Sequence, residues 1–126
     1  NSFSYTIPES FSNLTNLRSL FLDNNRISGD LGVIEGLYNI ELLLLEDNTF
    51  DHVLEDNSFG SLNELQILDA SNNMLRGSLP KTLFQKSDLK VIDLHKNKIA
   101  GNLPEFPENS SLQYLALYQN NIKSFI

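Results

Sequence analysis

Apolar side chains recur along this chain in one fixed arrangement, always set against an asparagine. Counting back from Asn25, Asn48, Asn73, Asn97 and Asn120, the eighth, fifth and third positions are apolar. They are Leu17, Leu20 and Leu22; Ile40, Leu43 and Leu45; Leu65, Leu68 and Ala70; Leu89, Ile92 and Leu94; and Leu112, Leu115 and Leu117. The second position after each asparagine is apolar as well: Ile27, Phe50, Leu75, Ile99 and Ile122. A template L-x-x-L-x-L-x-x-N-x-L therefore has all of its apolar slots filled in a chain that is 40% hydrophobic, and Ala70 is the one small residue among them. The asparagines lie 23, 25, 24 and 23 residues apart, and Asn1 sits 24 before Asn25, in the same register. A constant period of this length is the mark of a repeat array.

Within each repeat the L-x-L core alternates with period two, which predicts a short strand with one buried face. One such strand cannot bury its leucines alone. Stacked turns of a coil can, each leucine packing on its equivalents above and below. The asparagine closes the turn. Its amide both donates and accepts, so it can bond backbone groups where the strand ends and the chain bends inward. Neither aspartate nor leucine offers both. Asn25, Asn48, Asn73, Asn97 and Asn120 are thus assigned a structural role.

The segment after the asparagine carries a second signature, x-L-x-G-x-L-P. Asn73 to Pro80 and Asn97 to Pro104 match it in full, with Gly77 and Gly101. Asn25 to Leu31 keeps Gly29 but has Gly32 where proline is expected; Asn1 to Pro8 keeps Ile7-Pro8 but has Tyr5 for glycine. The repeat from Asn48 has His52 and Glu55 instead, and is the 25-residue one. Its extra residue predicts a local bulge on the outer side. Across essentially the whole chain this pattern resembles the leucine-rich-repeat family, in its plant-type or extracellular subclass, as in receptor-like kinases, receptor-like proteins and polygalacturonase-inhibiting proteins. The resemblance implies an α/β-type repeat solenoid over residues 1–126, with about five short strands in a parallel sheet on the concave face and a mostly irregular or 3₁₀ convex side. It also implies a second short strand after the asparagine, which twists the coil. In this family paired cysteines usually sit in terminal caps. With no cysteine in the chain, and leucine-rich surface expected at both ends, the repeats are expected to be an uncapped segment of a longer protein.

Composition narrows the partners. A net charge of −7 and a pI of about 4.6 disfavour nucleic acid and anionic lipid, which call for basic footprints. The longest apolar run is Tyr114 to Tyr118, far short of the roughly eighteen residues of a membrane span; this segment is expected not to insert, although a parent protein with a membrane anchor or in a complex is compatible with it. Two N-x-S/T sequons, at Asn13 and Asn109, fall in the returning segments between strands and are candidate glycosylation sites. They fit an extracellular or cell-surface protein on the secretory route; an organelle lumen is the alternative.

The x positions of the strands align into columns that should face away from the core. The first is Ser19, Leu42, Ile67, Val91 and Tyr114; the second Phe21, Leu44, Asp69, Asp93 and Ala116; the third Asp23, Glu46, Ser71, His95 and Tyr118. Phe21, Leu42 and Leu44 make an apolar patch. Asp23, Glu46, Asp69 and Asp93 lay acid across the middle, and His95, Tyr114 and Tyr118 close the far end. Apolar and aromatic groups rimmed by charge mark interaction surfaces, and these ten residues are the candidate contacts for a protein or peptide ligand. Phe21 and Leu44 covering each other along the ladder is the competing explanation. No residue is assigned to catalysis, to a cofactor or to a metal. The acids Glu46, Asp47, Asp51, Glu55 and Asp56 lack calcium-loop spacing. His95, Asp93 and Ser71 could line up as a triad only on an open ladder without oxyanion donors. The resemblance implies a recognition module in a ligand-binding ectodomain of a receptor-like or secreted protein. The other function carried is an architectural or scaffold subunit of a larger assembly, in a non-plant photosynthetic cell.

Overall fold

The computed structural model of the chain describes residues 4–124; the template residue Asn1 lies outside them. In chain order the strands are β1 (Ser4–Thr6), β2 (Ser19–Phe21), β3 (Arg26–Gly29), β4 (Leu42–Leu44), β5 (Thr49–Phe50), β6 (Val53–Leu54), β7 (Ile67–Asp69), β8 (Arg76–Ser78), β9 (Val91–Asp93), β10 (Lys98–Asn102), β11 (Tyr114–Ala116) and β12 (Asn121–Ser124). The L-x-L segments form one five-stranded parallel sheet in the order β11-β9-β7-β4-β2. Its register is that of the template: Leu20 lies beside Leu43, Leu43 beside Leu68, Leu68 beside Ile92 and Ile92 beside Leu115. Leu43, Leu45, Leu68, Ala70 and Leu94 have no exposed surface. Each fully buried leucine of this ladder contributes about 1.5–3 kcal/mol of apolar transfer.

The template asparagines tie successive turns together. Asn73 is typical. Its Nδ2 donates to its own repeat's Ala70 and Ser71 carbonyls at 3.2 and 3.0 Å, and to Leu45 of the preceding repeat at 2.9 Å. Its Oδ1 accepts the Phe50 N–H of that preceding repeat at 3.0 Å. Asn48, Asn97 and Asn120 repeat the set. The residue just before each asparagine (Asn24, Asp47, Asn72, Lys96 and Gln119) takes the left-handed conformation, with φ between 52° and 60°, which turns the chain inward; asparagine and aspartate adopt it at least cost among residues with a Cβ.

The outer side descends in steps of three. Backbone N–H groups of Ile34, Leu37 and Ile40 donate to the carbonyls of Leu31, Ile34 and Leu37 in turn, and Phe11, Leu14 and Leu17 form the same staircase from Pro8. Side chains three apart eclipse in 3₁₀ geometry, so Leu31, Ile34, Leu37 and Ile40 all face the core, while Leu14 of the first staircase is exposed. Two 3₁₀ turns, Glu9–Asn13 and Gly32–Gly36, and one short helix, α1 (Lys81–Phe84), lie here.

The strands after the asparagines build a second parallel ladder, split into β1-β3-β5 and β12-β10-β8-β6. Its glycines are required: Gly77 has φ +91°, and a Cβ there would stand 2.4 Å from the Leu54 carbonyl oxygen. The split falls in the 25-residue repeat. The expected outer irregularity takes the form of a strand interrupted at Asp51 and His52, between β5 and β6. His52, in the glycine position, spans the break by accepting the Leu31 N–H at its Nδ1, at 3.0 Å.

Candidate functional site

The five-stranded sheet turns its x residues outward as three columns. Phe21 on β2 is 58% exposed, and Tyr114 and Tyr118 at the β11 edge are 51% and 57% exposed. Leu42, Leu44, Asp23, Glu46, Asp69 and His95 are half-buried on the same face. Three residues of these columns depart from the expected outward exposure. Asp93 is buried, because His95 folds back over it: His95 Nδ1 lies 2.5 Å from Asp93 Oδ1, and the His95 ring stacks on Tyr118 at 4.3 Å. Ser71 is buried because its hydroxyl turns along the strand and donates to Asp69 Oδ1 at 2.7 Å. Ala116 is buried too, beside Asp93 on the neighbouring strand β9. Ser71 and His95 therefore serve different aspartates, and no Ser–His–Asp relay exists among them.

The two aspartates are held alike. Asp69 Oδ1 accepts the Ser71 backbone N–H at 3.0 Å, and Asp93 Oδ1 accepts that of His95 at 3.2 Å. In each case the carboxylate is anchored through one oxygen by the residue two further on. Glu46 is different. Its Oε1 is buried without a hydrogen-bond partner. Burial pushes its pKa up, its own backbone N–H pulls it down, and Asp69, Asp23 and Asp47 push it up again. Tyr114 is likewise held above the usual phenol value, first by the charge of Asp93, then by desolvation, Tyr118 and Asp69. The face is thus an acidic floor with aromatic and aliphatic walls.

The other acids of the 46–56 stretch do not gather. Asp47 accepts from Asn72 Nδ2 at 2.7 Å, Asp51 pairs with Arg76 on the second ladder at 2.8 Å, and Glu55 and Asp56 lie on the outer side. An outer groove of about 740 Å³ runs past Glu35, His52, Glu55, Ser61 and Thr82. Its polar groups are engaged in the fold. Glu35 accepts the Phe59 N–H at 2.5 Å and the Ser61 hydroxyl at 2.8 Å, and Thr82 donates to the Asp56 carbonyl. Lys86 donates to the Gly60 carbonyl; desolvation lowers its pKa, with Glu35 opposing. Sequence reasoning missed Glu35, since a single glutamate on an outer turn carries no periodic signal. Asn13 and Asn109 are both exposed, at the end of a 3₁₀ turn and in a turn before β11, away from the strand face.

The geometry of paired parallel ladders joined by an asparagine ladder has known relatives. A family model described as Leucine Rich Repeat matches residues 16–37 and 64–85. The ectodomain of the Arabidopsis receptor kinase HAESA, solved with the peptide hormone IDA and the co-receptor SERK1, superposes with a TM-score of 0.86 at 30% identity, over 94% of this chain and 20% of that one. The chain folds as a leucine-rich-repeat solenoid, similar to those of plant receptors. The solenoid is also similar to PEPR1 in its structure with AtPEP1, at 33% identity and a TM-score of 0.85, over 95% of this chain and 17% of that one. Among curated proteins it resembles Receptor-like protein 39 of Arabidopsis thaliana, 29% identical over 66% of this chain and 12% of the relative. Receptor-like protein 19 of the same plant is 35% identical over 62% of this chain and 8% of the relative. The repeats thus span about a tenth of the length of these relatives.

Proposed function

We propose that the strand face of the solenoid is a protein- or peptide-recognition surface, and that the repeats serve in a ligand-binding ectodomain at the cell surface or in a secreted protein. The carrying observation is the exposure of Phe21, Tyr114 and Tyr118 on a sheet whose core is already complete without them. A rigid ladder bears these groups, so a partner would order few of them on binding, and that entropy is not lost. Supporting this reading, the structural neighbour HAESA is described in complex with the peptide hormone IDA. The sequons at Asn13 and Asn109 lie where glycans would leave the strand face clear. We assign the surface no catalytic role.

The test uses peptides selected from a display library on the intact chain. Phe21→Ala, Leu44→Ala and Tyr118→Ala are expected to weaken their binding, each by about tenfold or more if it removes an aromatic or aliphatic anchor. The melting temperature should move little for Phe21→Ala and Tyr118→Ala, whose side chains are mostly in solvent. Selected peptides that bind all three variants as well as the parent would reject the strand face as the site.

A further inference from the structure

We propose that the partner of the strand face is an extended segment with basic side chains at its centre and apolar residues at both ends, lying across the strands. The inference rests on the recognition role proposed above and specifies the chemistry of what is recognised.

The distribution of groups on the face carries it. At the β2 and β4 end stand Phe21, Leu42 and Leu44; at the β11 end stand Tyr114 and Tyr118, with His95 stacked on the latter. Asp69, on the middle strand β7, lies between them, and Glu46 and Asp23 stand two residues beyond Leu44 and Phe21, on the side of the same face where those strands end. Neighbouring strands are about 4.8 Å apart, so β2 and β11, four steps removed, are separated by about 19 Å. An extended chain advances about 3.3 Å per residue, so about six residues bridge the two apolar ends. The centre of such a segment passes over Asp69 on β7, with Glu46 of the neighbouring repeat beside it.

These acids have not been neutralised by the fold. The two side-chain ion pairs of arginine among the described residues, Arg18 with Glu41 and Arg76 with Asp51, lie off the three columns. Asp69 uses its Oδ1 alone for Ser71. The Glu46 carboxylate has a buried oxygen without a donor and three acidic neighbours. Like charges held together on one face are unfavourable in the free protein, and a cation brought by a partner relieves them. A guanidinium is the best match, since it donates in a planar fork to carboxylates and stacks on aromatic rings, and Tyr114 on β11 lies on the strand next to Asp93 on β9. An acidic or neutral segment would leave the repulsion in place. Among the described residues, Lys96 and Lys98 form no ion pair with Asp23, Glu46 or Asp69.

The test is a set of four fluorescent eight-residue peptides, acetylated and amidated, with leucine near one end, tyrosine near the other, and Arg-Arg, Lys-Lys, Gln-Gln or Glu-Glu at the centre. Anisotropy titrations with the intact chain are run at about 50 and about 300 mM salt, where screening differs strongly. The Arg-Arg peptide should bind about tenfold or more tighter than Gln-Gln, the advantage should shrink at the higher salt, and Glu-Glu should bind weakest. In the double variant Glu46→Gln with Asp69→Asn, which keeps an oxygen for Ser71, the advantage should disappear while the melt stays cooperative. Equal binding of Arg-Arg and Gln-Gln, an advantage that survives the double variant, or binding of none of the four overturns the inference. Phe21→Ala and Tyr118→Ala separate it from the parent reading. A peptide that depends on both residues but ignores central charge leaves the recognition face standing and removes only its preference for cations. A basic peptide that ignores both residues removes the face itself.

Discussion

At the scale of single residues, the asparagines and the acids play opposite parts. Asn48, Asn73, Asn97 and Asn120 each exchange donors and an acceptor with backbone of two successive turns, so loss of one leaves buried N–H and carbonyl groups unpaired. Asn73→Ala should cost about 1–3 kcal/mol, read as a lowered midpoint in urea unfolding; an unchanged midpoint would show that water replaces the amide at no cost. The inter-turn half of that network was not legible in the sequence. The repeat spacing showed that an amide was needed at the turn, but not that its oxygen reaches back to Ile27, Phe50, Leu75 or Ile99. Glu46 works against stability. Its pKa is raised from 4.5, first by desolvation, so the folded chain holds that proton more tightly than the unfolded chain does. Stability from this group is therefore highest with the carboxyl protonated and falls as pH rises from the unfolded value through the higher folded one. Glu46→Gln should melt above the parent at neutral pH, and the difference should fade below about pH 4. A variant that melts lower at neutral pH would mean that the carboxylate has a stabilising partner after all.

At the scale of elements, period two set the L-x-L strands, and all five stand where the leucines place them. The steps of three on the outer side set the 3₁₀ turns, since eclipsed side chains need apolar residues at that spacing. The repeat from Asn48 shows what a pattern can and cannot convey. Its length and its lack of glycine marked an irregularity, but the means of repair, an imidazole nitrogen accepting the Leu31 N–H, depends on contact between repeats. His52→Ala removes that acceptor and should cost about 1–3 kcal/mol, seen as faster amide exchange at Leu31 and an earlier melt; unchanged exchange there would show that the N–H finds another acceptor.

At the scale of the whole molecule, the array separates support from recognition. The buried leucine and asparagine ladders run through every turn, and the face they hold up is free to vary. For that reason the columns could be named from register, since period two sends alternate residues outward. The burial of Asp93 and Ser71 could not, because it follows from what neighbouring side chains do: the imidazole of His95 closing over Asp93, and the Ser71 hydroxyl turning to Asp69. The most direct test of the account is where a bound peptide touches. With the Arg-Arg peptide at saturation, NMR shifts of methyl and aromatic groups should change at Phe21, Leu42, Leu44, Tyr114 and Tyr118, and should stay still at Val53 on β6 and Met74 just before β8, both exposed away from that face. Changes clustered at Val53 and Met74, with the strand face undisturbed, would contradict it.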